Sequence, residues 1–242
     1  MNISSGVNNS VQEIHNEQQL MQYLKQYQLE TVFHESLRTH MTLCHFEKCE
    51  LICREGETSE YLYVLVEGKI KIFTTSAQDK TLVLCFKTPL EVVGDIEYVR
   101  ESDIVNTVQA VSPVVMLRIH YQWLAELASD YAPLLKFLLK IISHKFYIDS
   151  NFSNFNLMYP VEVRLVSYLL SISTEEAGNV VHEELDAFNL TDIANLIGTS
   201  YRHLNRVIHK LCADGLIERH QGLIMIKDRA GLREIAGHNI YE

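Results

Sequence analysis

Proline and glycine are scarce in this 242-residue chain, at 4 and 10 residues, which excludes a collagen-like repeat and a Pro/Gly-rich disordered polymer. No apolar run approaches the roughly 18 residues that a membrane span needs. Residues Met1 to Asn16 lack a basic stretch followed by an apolar one, so no secretory signal is read. The expected location is the cytoplasm, with no membrane partner. No G-x-S-x-G, P-loop or paired-histidine zinc motif occurs, so an enzyme is not expected. Cys44-His45 with Glu47 is the nearest approach to a cupin metal strand, and it fails that pattern. Five cysteines, an odd number in a chain without a signal, point to reduced thiols rather than a disulfide framework.

Positive charge is also in deficit, the formal net charge being −10. The deficit is not uniform. From Asn189 to Arg229 the basic residues Arg202, Arg206, Lys210, Arg219, Lys227 and Arg229 outnumber Asp192, Asp214, Glu218 and Asp228. Between Gly198 and Leu211 there is no acid at all. A phosphate responds to the local field of such a patch, so overall acidity does not exclude nucleic acid.

Apolar residues make up 47% of the chain, enough for a sizeable core. Met1 to Ser10 reads as a loose polar tail. Leu20, Tyr23, Leu24 and Tyr27 then predict a helix over Glu17 to Leu29. From Met41 to Ile119 the pattern shifts to short strand-like runs, among them Tyr61-Leu-Tyr-Val-Leu-Val66, Lys69 to Phe73, Thr81 to Phe86 and Val114 to Ile119. Gly56, Gly68, Pro89, Gly94 and Pro113 punctuate them, as in an antiparallel barrel or jelly roll.

A long helix is predicted from Tyr131 to Phe155. One stripe runs through Tyr131, Leu134, Leu138, Ile141, Ile148, Phe152 and Phe155, with Lys145 in register. A second runs through Leu135, Leu139, Ile142 and Phe146. Two apolar stripes require two partners: the β-domain for one and a second copy of the chain for the other. The alternative is a core helix inside a monomer. Tyr159-Pro160 breaks the pattern, Val161, Leu165, Tyr168 and Leu169 begin another helix, and Glu175 to Asn179 reads as a polar loop.

The most informative segment is Leu190 to Leu211. Ile193, Ala194 and Ile197 give a short helix an apolar face, and Gly198 stands where a tight turn needs positive φ. Ser200 is placed to cap the next helix. In that helix Leu204, Val207, Ile208 and Leu211 face inward, leaving Tyr201, Arg202, Asn205, Arg206 and His209 outward. Arginine forks onto guanine, asparagine pairs with adenine, and hydroxyls suit phosphates. Leu216 to Arg219 and Leu223 to Ile226, about a turn at His220-Gln-Gly222, make a β-wing. The candidate DNA-contacting set is Thr199, Ser200, Tyr201, Arg202, Asn205, Arg206, His209 and Lys210.

These motifs resemble the Crp/Fnr family of bacterial regulators from about Leu43 onward. The resemblance rests on Glu55-Gly-Glu57, Tyr61 to Gly68, Val93-Gly-Asp95 and Thr191 to Arg206. Gly94-Asp-Ile-Glu97, Ser143-His-Lys145, Ser200 to Leu204 and Asp214-Gly-Leu216 are most similar to the YeiL-type branch. It implies an α+β chain with an N-terminal double-stranded β-roll (jelly-roll-like) sensor domain, a long dimerisation helix and a C-terminal winged helix-turn-helix domain. The expected boundaries are a tail and helix over 1–30, the sensor over 31–130, the dimerisation helix over 131–157 and the DNA-binding domain over 158–242. The implied partners are double-stranded DNA, a second copy of the chain and RNA polymerase, on a palindromic site. The other reading is a sensor or interaction protein, with a degenerate cyclic-nucleotide-binding-like domain, that does not bind DNA.

The effector is not readable from the sequence. The resemblance places a candidate pocket at Gly94, Asp95, Asp149 and Ser150. Cyclic-nucleotide binders of this family carry a Gly-Glu pair and then an Arg-Ser pair that clamps the phosphate. Here Gly94-Asp95 shortens the acid, and the second pair falls near Ile104-Val105 without an arginine, so cAMP in the usual mode is not expected. Arg100 and Arg118 remain as partners for another anion. Cys44, Cys49, Cys53 and Cys85 form a candidate redox or metal set, but their spacing departs from that of the family's iron–sulfur members. With Cys49 and Cys53 on one strand, both thiols would share a face and Cys44 would point away. Iron–sulfur, haem at His34, His40, His45 or His120, and plain core packing all stay open, the first two without support from spacing.

Overall fold

A computed structural model describes residues 12–14, 16–75, 81–171, 190–220 and 223–237. The expected tail at Met1 to Ser10, the loop at Glu175 to Asn179 and the tip of the wing at Gln221-Gly222 lie outside the described residues. The chain divides into two compact units. The first comprises residues up to Ile72 with Phe86–Ile142, and the second Phe73–Cys85 with residues from Ser143 onward.

The first unit begins with strand β1 (Gln12–Ile14) and helix α1 (Glu17–Gln26), whose N-terminus is capped by Asn16 accepting from the Gln19 amide at 3.0 Å. Helix α2 (Glu35–Arg38) follows, and then strands β2 (Met41–Phe46), β3 (Leu51–Cys53), β4 (Tyr61–Glu67), β5 (Ile70–Thr75), β6 (Thr81–Lys87) and β7 (Glu91–Val93), the residues of β5 and β6 from Phe73 to Cys85 falling in the second unit. After helix α3 (Asp95–Arg100) come β8 (Thr107–Ala110), β9 (Val114–His120) and helix α4 (Tyr121–Ala128). One sheet has the order β1-β2-β9-β4-β7 and the other β3-β8-β5-β6.

The uninterrupted apolar run of β4 is explained by burial on both faces. Tyr63 and Leu65 join Phe46, Val93, Val114 and Met116 against Ile52, Ile70, Val108 and Ala110 of the second sheet. Leu62, Val64 and Val66 face the opposite way, where they pack with Leu20 and Leu24 of α1, Leu37 of α2 and Leu124 of α4. The double-layered β-fold expected from the sequence is therefore present, with a helical cover on one face. The short helices α3 and α4 were not foreseen.

The long helix, α5, runs over Ala132–Met158. Leu134, Leu138 and Phe155 of its first stripe are buried. Its second stripe is not: Leu135 is 44%, Leu139 66% and Phe146 74% exposed. No helix among the described residues is long and apolar enough to cross a membrane.

The second unit contains helix α6 (Val161–Ser171), helices α7 (Leu190–Leu196) and α8 (Tyr201–Ala213), and strands β10 (Ile217–His220) and β11 (Leu223–Ile226). The two strands pair antiparallel from Ile217 against Ile226 to His220 against Leu223, as the wing reading requires. A further helix, α9 (Arg229–Ala236), was not read in the sequence. It is capped by Asp228 accepting from the Gly231 amide at 2.9 Å, and it buries Leu232 and Ala236.

Candidate nucleic-acid interface and sensor pocket

The junction of α7 and α8 follows from local chemistry. Gly198 adopts φ +67°, a left-handed conformation that an L side chain enters at a cost. The Gly198 amide donates to Asn195 at 3.1 Å and the Thr199 amide to Ala194 at 2.8 Å, closing the end of α7. Ser200 is extended, and its hydroxyl accepts from the His203 amide at 3.2 Å, capping α8. Both roles match the sequence reading.

A second tie was not anticipated. Arg164 of α6 is 9% exposed, and its guanidinium donates to the carbonyls of Ile197 and Gly198. The buried cation thus holds the two carbonyls that the helix terminus leaves without intrahelical partners. A Cβ on Gly198 would lie 3.2 Å from Arg164 Nη1, so the turn and the guanidinium are fitted to each other.

Helix α8 has two chemically distinct sides. Leu204, Ile208 and Leu211 are fully buried and Val207 nearly so. Tyr201, Arg202, Arg206, His209 and Lys210 are exposed, with Asn205 half-buried among them, and Ser200 and Thr199 precede them at the helix start. The structure therefore brings the eight candidate residues together on and before one helix. Lys210 is the member of the set paired with an acid: its ammonium lies 2.9 Å from each carboxylate oxygen of Glu162 on α6. That bond raises the lysine pKa above its ordinary value. Asn205 Nδ2 donates to the Tyr201 carbonyl at 3.2 Å, and its Oδ1 accepts from Arg219 of β10 at 3.2 Å. A cleft of about 520 Å³ between α6 and α8 is lined by Arg164, His203, Arg206 and Lys210 alongside Glu162.

In the β-unit, Gly94 takes φ +88° directly before α3, where a Cβ would lie 2.4 Å from the Tyr61 carbonyl oxygen. Tyr121 donates its hydroxyl proton to the Gly94 carbonyl at 2.6 Å, so the Ser59 hydroxyl at 2.7 Å donates to the phenol oxygen. Burial pushes the Tyr121 phenol above its ordinary pKa, and the Ser59 bond opposes the shift. Asp95 is 1% and Glu97 9% exposed. Glu97 Oε1 accepts from the Val105 amide at 3.0 Å. At the place where the resemblance would put a phosphate-clamping arginine, this chain presents its own carboxylate. The residues do not fit a cyclic nucleotide there. An anionic phosphate would meet the buried carboxylate of Glu97, which already accepts from the Val105 amide. Arg118 lies over the Tyr61 ring, 4.4 Å from its centroid, and Arg100 is exposed at the end of α3. Asp149, exposed, and Ser150, half-buried, lie on α5 in the second unit.

The cysteines are not gathered as a ligand set. Cys44 is fully buried in the intersheet core. Cys49 is not on a strand with Cys53: it sits exposed in a turn at φ +75°, because its amide reaches the Ala110 carbonyl at 2.8 Å. Burial pushes the Cys53 thiol up to about 12, with Glu97 adding to the shift. Cys85 is half-buried. Among the described residues no three His, Cys, Asp or Glu side chains are placed to hold a metal ion. Four histidines also have local partners. His34 Nε2 lies 3.0 Å from the Leu127 carbonyl, His40 stacks on Trp123 at 3.7 Å, His45 approaches Glu47 at 3.7 Å, and His120 accepts from the Gln122 amide at 3.0 Å.

Comparison with known proteins joins the two units to one family. Residues 43–131 match the model of a cyclic nucleotide-binding domain, and residues 163–235 that of a Crp-like helix-turn-helix domain. The regulatory protein YeiL of Escherichia coli is 26% identical over 194 residues, covering 80% of this chain and 85% of that protein. An anaerobic regulatory protein of Haemophilus influenzae is 22% identical over 195 residues, covering 80% and 76%. Among solved structures, a Crp/Fnr-family regulator from Eubacterium rectale superposes with a TM-score of 0.72 at 15% identity, covering 90% of this chain and 100% of that one. Another from Thermus thermophilus superposes at 0.68 with 20% identity, covering 81% and 99%. The two matched domains, in this order and on either side of the long helix, make the chain a member of the Crp/Fnr family of transcriptional regulators.

Proposed function

We propose that the chain regulates transcription by binding double-stranded DNA sequence-specifically as a two-fold dimer. The observation that carries this reading is the outer side of α8. It presents Tyr201, Arg202, Asn205, Arg206 and His209 on a helix started by Ser200, beside an antiparallel wing. An α-helix fits the major groove, where guanidinium forks and amides discriminate base pairs. Thr199, Ser200 and the first amides of α8 suit phosphate. Lys210 stands at the edge of the contact, its ammonium shared with Glu162.

Dimerisation is supported by the exposed stripe of Leu135, Leu139 and Phe146 on α5, an apolar row that a second copy would cover. A two-fold axis along that seam presents two copies of α8 to a palindromic site, with half-sites about one helical turn apart. Residues 1–30 are the N-terminal tail and helix, 31–130 the sensor, 131–157 the dimerisation helix and 158–242 the DNA-binding domain. RNA polymerase is the remaining partner, as expected of a transcription regulator. Within the family, the chain is proposed to belong with the YeiL-type branch, on the motifs it shares with it.

The sensor is proposed to answer to something other than a cyclic nucleotide, because Glu97 already holds the Val105 amide. The test of the whole reading is a mobility shift of purified protein on pooled random duplexes. A retarded complex whose selected DNA has two-fold symmetry supports it. No retardation at micromolar protein and low salt favours instead an interaction protein that has lost DNA binding.

A further inference from the structure

We infer that Arg219, in the wing, is a specificity-determining residue that acts by fixing the amide of Asn205; this rests on the DNA-binding reading above. A guanidinium only donates and a backbone carbonyl only accepts. Arg219 Nη1 lies 3.2 Å from one end of the Asn205 amide, and the Tyr201 carbonyl lies 3.2 Å from the other. The end facing Arg219 must therefore be Oδ1, and the end facing the carbonyl must be Nδ2. No other assignment of the amide satisfies both partners, so its two ends are ordered along the helix by the wing.

That order has a consequence in the groove. With those bonds made, Asn205 retains one N–H and one acceptor lone pair. They match the N7 acceptor and N6 donor of adenine. Which end donates decides on which strand the adenine must lie. A freely flipping amide would accept A·T and T·A more nearly alike, whereas one pinned by Arg219 distinguishes them. Arg219 is exposed, so its charge also adds to the field at the DNA surface. A mere phosphate contact is therefore the competing account, and the two differ in what they change. A phosphate contact weakens binding to all sequences equally and lowers the salt slope by about one. A positioning role alters preference at one base pair.

The experiment is site selection from random duplexes, followed by salt titration on the selected site and its single-pair variants, for wild type, Arg219→Ala, Arg219→Lys, Asn205→Ala and the double Ala variant. The expected result is that wild type prefers one orientation of an A·T pair by about tenfold. Asn205→Ala and Arg219→Ala each abolish that preference at the same position, and the double variant loses no more than either alone. Arg219→Lys keeps the wild-type salt slope and part of the preference, because an ammonium still only donates to Oδ1 but from a more flexible stem. The proposal is overturned if Arg219→Ala keeps the wild-type sequence preference, or if its loss adds independently to that of Asn205→Ala. Wild-type protein that selects no sequence at all sinks the DNA-binding reading itself, and the Arg219 assignment falls with it.

Discussion

Three residues around the α7–α8 turn, Gly198, Ser200 and Arg164, carry much of the placement of α8. Gly198→Ala would put a Cβ in a left-handed conformation and 3.2 Å from Arg164 Nη1. The expected cost is about 1–2 kcal/mol, read as a lowered urea midpoint of the C-terminal unit. Arg164→Met would remove donors from the Ile197 and Gly198 carbonyls and cost about 2–3 kcal/mol. DNA affinity should fall in both variants although neither residue is on the exposed side of α8. Gly198 and Ser200 were legible in the sequence because turn and cap rules operate over three or four residues. Arg164 was not, since its partners lie 33 and 34 residues away and nothing in its own helix pattern marks it. Arg219 was read as a charge and as part of the wing, but its bond to Asn205 was not legible for the same reason, that partner being 14 residues earlier. Among the cysteines, Cys53, held up at about 12, should resist alkylation at pH 8 in the native protein, while exposed Cys49 reacts. Mass mapping of modified thiols checks this, and rapid native modification of Cys53 would contradict the burial described.

At the scale of elements, the long helix makes the sharpest test. Its two stripes were readable from spacing alone, and the structure separates them by burial. Phe146→Asp changes a side chain that is 74% exposed in the single chain, so the fold of each unit should be kept. A dimer through that row should weaken by about 3 kcal/mol, roughly two decades in Kd. Sedimentation that still shows a dimer at low micromolar concentration would place the interface elsewhere. Strands β4 and β9 were legible because their apolar runs are long. Helix α3 has six residues, too few to display a 3.6-residue period. Helix α9 was not legible although Asp228 is an ordinary N-cap, because eight residues display little more than two turns of a 3.6-residue period. The apparent redox strand failed for a backbone reason: the turn at Cys49 removes it from the strand on which Cys53 lies.

For the whole molecule, a net charge of −10 coexists with an acid-free run from Gly198 to Leu211. Binding driven by that run should be strongly salt-dependent, and the acidic remainder should limit non-specific adhesion. The family was legible because its motifs extend through both units. The effector was not, because the pairing of Glu97 with the Val105 amide, at the place the resemblance points to, is created only by the folded loop. The most direct test of the central claim is selection from random duplexes with purified wild-type protein and the Arg206→Ala variant. Wild type should enrich a two-fold symmetric sequence, and Arg206→Ala should relax one base pair in each half-site at a cost of about 1–3 kcal/mol. Enrichment of no sequence by wild type, or of an identical site by the variant, would contradict the account.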